Sequence, residues 1–179
     1  MTIKTQSGAD FRIDWTSWNP AETAVLTFIR RQKQLLLILK KRGLGHGKFN
    51  APGGRLEPGE TIEQAAVRET QEEVGLTPLH LRGAGKLEFA FTDGYSLRCH
   101  VFTADAYHGT LTETDEAKPF WCEESQIPYD RMWSDDRFWI PHMLEGRPFE
   151  GQFIFDGDTM LWHTLEVVST VRPDSPTTP

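Results

Sequence analysis

The chain has 179 residues, 38% of them hydrophobic, with 26 acidic against 19 basic side chains and a formal net charge of −7. That length suits one globular domain with a sizeable core, and the acidic balance argues against a surface that holds a long polyanion such as nucleic acid. A small phosphate ester bound through a metal stays compatible with both.

The first fifteen residues contain no apolar h-region, and the longest apolar runs, such as 35–39, are far too short to cross a bilayer. A soluble, cytoplasmic protein without a membrane partner is expected, as monomer or dimer. Cys99 and Cys122 are the two cysteines and the six histidines lack ligand spacing, which leaves no disulfide framework and no zinc site. Residues 1–21 are polar, carry Trp15 and Trp18, and read as a short extension ahead of a domain over 22–169.

Residues 24–29 and 34–39 read as a hairpin about Arg30-Arg31-Gln32-Lys33, rich in Leu and Ile without clean alternation and so buried on both faces. A loop with Gly43, Gly45 and Gly47 then leads to the stretch Gly53–Leu76. Its first half carries Gly53, Gly54, Pro58 and Gly59 and cannot continue regular structure. Thr61 with Gln64 forms a capping box and Gly75 stands where a left-handed C-terminal residue belongs, so a helix is predicted over 62–74. Beyond it come a hairpin of 85–91 and 95–106 about Thr92-Asp93-Gly94, a strand over 118–123, and an irregular segment over 128–133. A helix then carries Phe138, Trp139, His142, Met143 and Leu144, with Asp135 or Asp136 as a possible cap. A last hairpin, 149–155 and 160–168, turns at Asp156-Gly157-Asp158, and a Pro/Thr-rich disordered tail covers 170–179. Strands framing two helices without βαβ alternation give an α/β architecture, a mixed β-sheet sandwiched between α-helices.

The helix over 62–74 places charge where apolar residues belong. At about 100° per residue, Ile62, Ala65, Ala66, Glu69, Glu72 and Glu73 fall within one arc of about 120°. Three carboxylates so close repel one another. Arg68 reaches Glu72 at i,i+4, but one guanidinium cannot neutralise three charges, and a hard divalent metal with oxygen ligands, Mg2+ or Mn2+, is the natural counter-ion. An acidic helix with solvated Glu residues is the competing interpretation.

The whole stretch resembles the signature of the Nudix hydrolases, G-x5-E-x7-R-E-U-x-E-E-x-G-U, in which U is a bulky aliphatic. Gly54, Glu60, Arg68, Glu69, Glu72, Glu73, Gly75 and Leu76 match, and Thr70 stands at an aliphatic position. The resemblance implies the Nudix fold and a Mg2+-dependent hydrolase. It also implies metal ligands at Gly53 (through its carbonyl), Glu69, Glu72, Glu73 and Glu116, and catalytic roles for Glu69, Glu73 and Arg68. In that assignment Glu69 is the first choice of base, oriented by Arg68. Glu60 is expected to stabilise the junction of loop and helix, and Arg55 or Lys48 to meet phosphates.

Further stretches, KKRGLGHGKFNAPGG over 40–54, ETDEAKPFW over 113–121, IPYDRMWSDDRFWIP over 127–141 and the closing hairpin over 151–168, look like the MutT-homologue branch of that family. That branch destroys oxidised purine nucleoside triphosphates such as 8-oxo-dGTP, giving the monophosphate and pyrophosphate. Carried over residue by residue, Asn50, Trp133, Asp135 and Asp136 are where the branch recognises the base, and Lys40 is where it approaches the nucleotide. Leu44 replaces a Phe. The chemistry of these residues agrees: an indole offers a purine a flat surface, an amide donates and accepts, and adjacent buried carboxyls share a proton so that one donates while the other accepts. Two alternatives stay open: a Nudix hydrolase of another diphosphate such as ADP-ribose or a nucleotide sugar, and a non-catalytic Nudix module that senses a nucleotide.

Overall fold

A computed structural model describes residues 1–171, and the expected tail beyond Val171 falls outside them. In chain order the elements are β1 (Thr2–Lys4), β2 (Asp10–Arg12), β3 (Glu22–Arg31), β4 (Gln34–Lys40), β5 (Phe49–Asn50), β6 (Gly53–Arg55), α1 (Ile62–Val74), β7 (Leu76–Leu79), β8 (Arg82–Phe91), β9 (Ser96–Ala104), β10 (Ala106–Gly109) and β11 (Ala117–Glu123). Two 3-10 turns, Glu124–Gln126 and Tyr129–Arg131, lead to α2 (Asp136–Leu144), β12 (Phe149–Asp156) and β13 (Thr159–Val167). Among the described residues no helix is long and apolar enough to cross a membrane.

The main sheet runs β11-β4-β3-β9-β8-β12-β13, with β5 beside β4 and β6 beside β3. It is mixed: β3 lies parallel to β9 and β8 to β12, whereas β4 is antiparallel to β3 and to β11. The central strands read as continuous apolar runs because both faces are covered. Along β4, Leu35 and Leu37 join the core cluster of Trp139, Ile140 and Met143 from α2, while Leu36 and Ile38 join the opposite cluster with Val74 of α1. The same period of two on β3 sends Phe28 toward α2 and Val25 toward Ala65 and Ala66 of α1. The turn between β3 and β4 is tighter than expected, Gln32 taking φ 55° while Arg31 pairs with Gln34.

Helix α1 has the predicted bounds and caps. Thr61 Oγ1 accepts from Gln64 N–H at 3.2 Å, Gln64 Oε1 accepts from Thr61 N–H at 2.9 Å, and Gly75, at φ 74°, donates to Gln71 O. Thr70 is fully buried without an orphaned hydroxyl, since its Oγ1 donates to Ala66 O one turn back at 2.7 Å. Two small sheets were not expected. β7 pairs with β10, which ends the strand over 95–106 early at Ala104, and β1 pairs with β2 inside the N-terminal extension.

Candidate active site

Helix α1 and the β6 turn meet at close range. A Cβ built on Gly54 would lie 2.4 Å from Cδ of Glu69, so the Glu69 carboxyl group rests against bare backbone. Arg68 organises what surrounds it. Its Nε and Nη2 hold the two oxygens of Glu60 at 2.8 Å each, its Nη1 donates to Glu69 at 2.9 Å and to Glu72 at 3.2 Å, and Nη2 also reaches Arg55 O. Glu60 further accepts from Glu57 N–H, tying loop to helix, and the Arg68 hydrogen bonds hold its carboxyl down at about 2.

The three glutamates of the apolar arc do not behave alike. Glu73 is buried at 1% exposure, accepts from Gly53 N–H at 3.0 Å and faces Lys40 Nζ at 3.5 Å. Burial pushes its pKa up, against the pull of Lys40 and the Gly53 N–H. Glu69 sits 13% exposed beside Arg68, whereas Glu72 is 59% exposed on the outer side of that guanidinium. All three carboxylates have a cation nearby, Glu73 facing Lys40 and Glu69 and Glu72 sharing Arg68, and Glu72 takes the solvent side of that guanidinium.

Glu69, Glu73, Gly53, Gly54 and Lys40 line one cavity of about 480 Å3, and Glu116 joins them in an ion pair with Arg42, which also lines it. Glu72 does not line it. Among the described residues no three acidic, imidazole or thiol side chains converge on one point as they stand. The donor chemistry nonetheless fits a hard divalent cation: Glu69 and Glu73 present oxygen only, share the cavity, and one rests on a glycine that leaves it room.

The same cavity holds the aromatic group predicted to meet a base. Trp133 stands edge-on to Phe155 at 5.4 Å and to Phe91 at 6.3 Å, and a Cβ on Gly45, at φ +78°, would come within 2.9 Å of its Nε1. Asn50, on β5, lines the cavity with its Oδ1 accepting from Ala51 N–H, and Leu44 lines it while 45% exposed. Lys48 Nζ lies 5.0 Å over the Trp133 ring and pairs with Asp158, and its charge also pulls on the Asp136 carboxyl.

Asp135 and Asp136 are both buried and both line the cavity. Asp135 occupies the cap position of α2 but makes no capping bond; its Oδ2 accepts from Trp139 Nε1 at 2.9 Å, and its Oδ1 is buried with no partner among the described residues. Asp136 Oδ2 accepts from Trp133 N–H at 3.1 Å. Burial pushes Asp135 up to about 6 and Asp136 well above the usual carboxylate range, the charge of Asp135 adding to the second shift. With both carboxyls pushed up in this way, one that keeps its proton can donate where an ionised neighbour accepts.

Four features escaped the sequence reading. Arg42 neutralises Glu116, and Tyr95 OH donates to Glu22 Oε2 at 2.6 Å while Arg55 Nε pairs with that same carboxylate at 2.7 Å. Phe91 and Phe155 complete the aromatic group, stacked at 5.6 Å. Each depends on residues far apart in the chain, and only the alternation along β8 and β12 carried a trace of it. A separate cavity of about 360 Å3, walled by Arg30, Arg82 and Arg147, contains none of the predicted residues, and those guanidiniums are held by Glu124, Asp105 and Glu145.

A sequence profile of the NUDIX domain matches residues 20–143. The chain belongs to the Nudix hydrolase family. The family generally uses a divalent metal, in keeping with the oxygen-only carboxylate cluster. Over 145 residues this Nudix chain is 43% identical to an oxidized purine nucleoside triphosphate hydrolase of Danio rerio, covering 80% of this chain and 93% of that protein. The Mus musculus protein of the same name is 41% identical over 147 residues, 81% and 94% of the two chains. The fold superposes on a MutT protein from Bacillus halodurans with a TM-score of 0.74 at 26% identity, over 81% of this chain and 97% of that one. These similarities bear out the α/β Nudix fold and the MutT-like resemblance.

Proposed function

We propose that this chain hydrolyses oxidised purine nucleoside triphosphates such as 8-oxo-dGTP to the monophosphate and pyrophosphate. The observation that carries the reading is that one cavity is lined both by the buried carboxyls Asp135 and Asp136 with Trp133, Asp135 Oδ1 having no partner among the described residues, and by Glu69 and Glu73. The names of the Danio rerio and Mus musculus relatives support it.

Trp133 stacks on the purine, and Asp135 and Asp136 meet an edge that carries both a carbonyl and N–H groups, one carboxyl donating and the other accepting. Asn50 adds an amide able to do both. Lys40, beside Glu73, meets phosphate charge, and Arg42, which pairs with Glu116 and lines the same cavity, is placed to do the same. Glu69, Glu73, Glu116 and the Gly53 carbonyl would hold Mg2+, with Glu72 at the outer rim. When bound, the ion supplies a lowered pKa for the attacking water and charge neutralisation on the leaving group. Glu69 accepts the proton of that water, held in place by Arg68 Nη1.

Assay of the phosphate products of a nucleotide panel with Mg2+ tests the proposal. Preferential release of pyrophosphate from 8-oxo-dGTP is expected. Preference for ADP-ribose or a nucleotide sugar would move the chain to another Nudix substrate class, and binding without turnover would make it a sensor.

A further inference from the structure

Residues 1–22 pair within themselves and are tied to the rest of the chain at several points. β1 and β2 pair through Thr2↔Arg12 and Lys4↔Asp10, and Trp15 stacks on Trp162 of β13. Gln6 N–H donates to Asp156 Oδ2 at 2.7 Å, and the Gln6 side-chain amide donates to Asp156 O at 2.8 Å. Asp156 Oδ1 in turn accepts from Thr92 Oγ1 at 2.6 Å, while Thr92 N–H donates to Phe155 O. Further along, Ala21 N–H donates to Ser96 Oγ at 2.9 Å, and Glu22 takes the Tyr95 hydroxyl.

These anchors share one property. Thr92 follows Phe91, Ser96 lies between Tyr95 and Leu97, and Asp156 follows Phe155, and all four of those neighbours line the cavity. The segment therefore grips the tips of two hairpins, β8–β9 and β12–β13, whose side chains form the wall against which Trp133 stands. Hairpin tips belong to the least stable parts of a fold, and a tip that splays carries its aromatic ring with it. The carboxylates of α1 are anchored separately through Arg68 and Lys40.

We propose that residues 1–22 act as a clamp that sets the aromatic wall of the base pocket, and that Asp156 is its central positioning residue, governing substrate affinity rather than the chemical step. The inference rests on the nucleotide reading of the cavity.

The test uses full-length parent, Asp156→Ala, Asp156→Asn and Gln6→Ala, measuring kcat and KM for 8-oxo-dGTP with Mg2+ together with amide hydrogen exchange over residues 90–97. Asp156→Ala should raise KM by about three- to tenfold, the range expected for the loss of one or two hydrogen bonds, with kcat unchanged. Protection over 90–97 should fall with it. Asp156→Asn keeps an acceptor for Thr92 and should lie between, and Gln6→Ala should shift KM the same way by less. Unchanged KM and unchanged exchange overturn the clamp, as does a lower Tm with KM and exchange intact, which would mark a purely structural contact. Should the parent fail to turn over 8-oxo-dGTP, the proposed substrate falls, and the exchange measurement decides the clamp alone.

Discussion

Asp135 takes the indole N–H of Trp139 at 2.9 Å with one oxygen and leaves the other buried with no partner among the described residues. A buried polar atom without a partner costs about 1–3 kcal/mol, and a ligand group that bonds to Asp135 Oδ1 would recover that cost. The bond ties Asp135 to the core of α2, because Trp139 is wholly buried against Phe28 and Phe149.

The carboxylate cluster should be separable from the fold. Glu73→Gln keeps an acceptor for the Gly53 N–H but removes the charge, and turnover is expected to fall by about 10²–10³. Circular dichroism and the melting transition should stay close to those of the parent, and EDTA should abolish parental turnover. Full activity in the variant or in excess EDTA would contradict the metal assignment.

Trp133→Ala should raise KM for a purine triphosphate by about tenfold or more, corresponding to about 1–3 kcal/mol of lost base stacking, while Trp133→Phe recovers a good part of it. Steady-state kinetics distinguishes this from a structural effect, since kcat should hold. An unchanged KM would make Trp133 a wall residue only.

Much of this was legible locally. The span of α1 could be read because its signals lie within a turn of where they act: Thr61 with Gln64 at one end and Gly75 at the other. The Asp135–Asp136 pair was legible because adjacency in sequence forces proximity in space. Glu72 shows the limit of that logic, since helical projection places it with Ala65 yet the Arg68 guanidinium holds it at the solvent edge. The Tyr95–Glu22–Arg55 cluster and the Gln6–Asp156 contact could not be read at all, because they join positions separated by tens of residues or more, up to 150. β7 escaped for a different reason: Pro78 argues against a strand, and only its edge position in a two-stranded sheet tolerates it.

Stability should carry the signature of the buried pair. Burial raises Asp135 to about 6 and Asp136 well above its usual range, against an unfolded value of about 3.9, so the folded chain holds more protons than the unfolded chain above that value. Their contribution is fully present below the unfolded value and is lost as pH rises through the folded ones. Asp136→Asn removes one titrating partner. Its stability relative to the parent, from urea midpoints between about pH 4 and pH 8, should therefore increase with pH. A flat or falling difference would show that the pair does not hold its proton in the folded state.

The central claim is that the carboxyl pair reads the oxidised base while the glutamates of α1 carry out the cleavage, and the ratio of kcat/KM for 8-oxo-dGTP to that for dGTP tests it most directly. In Asp135→Asn and Asp136→Asn that ratio should drop by about tenfold or more, the scale of a buried polar group losing its partner, while Mg2+ dependence stays that of the parent. A ratio left where it was by both substitutions would contradict the account.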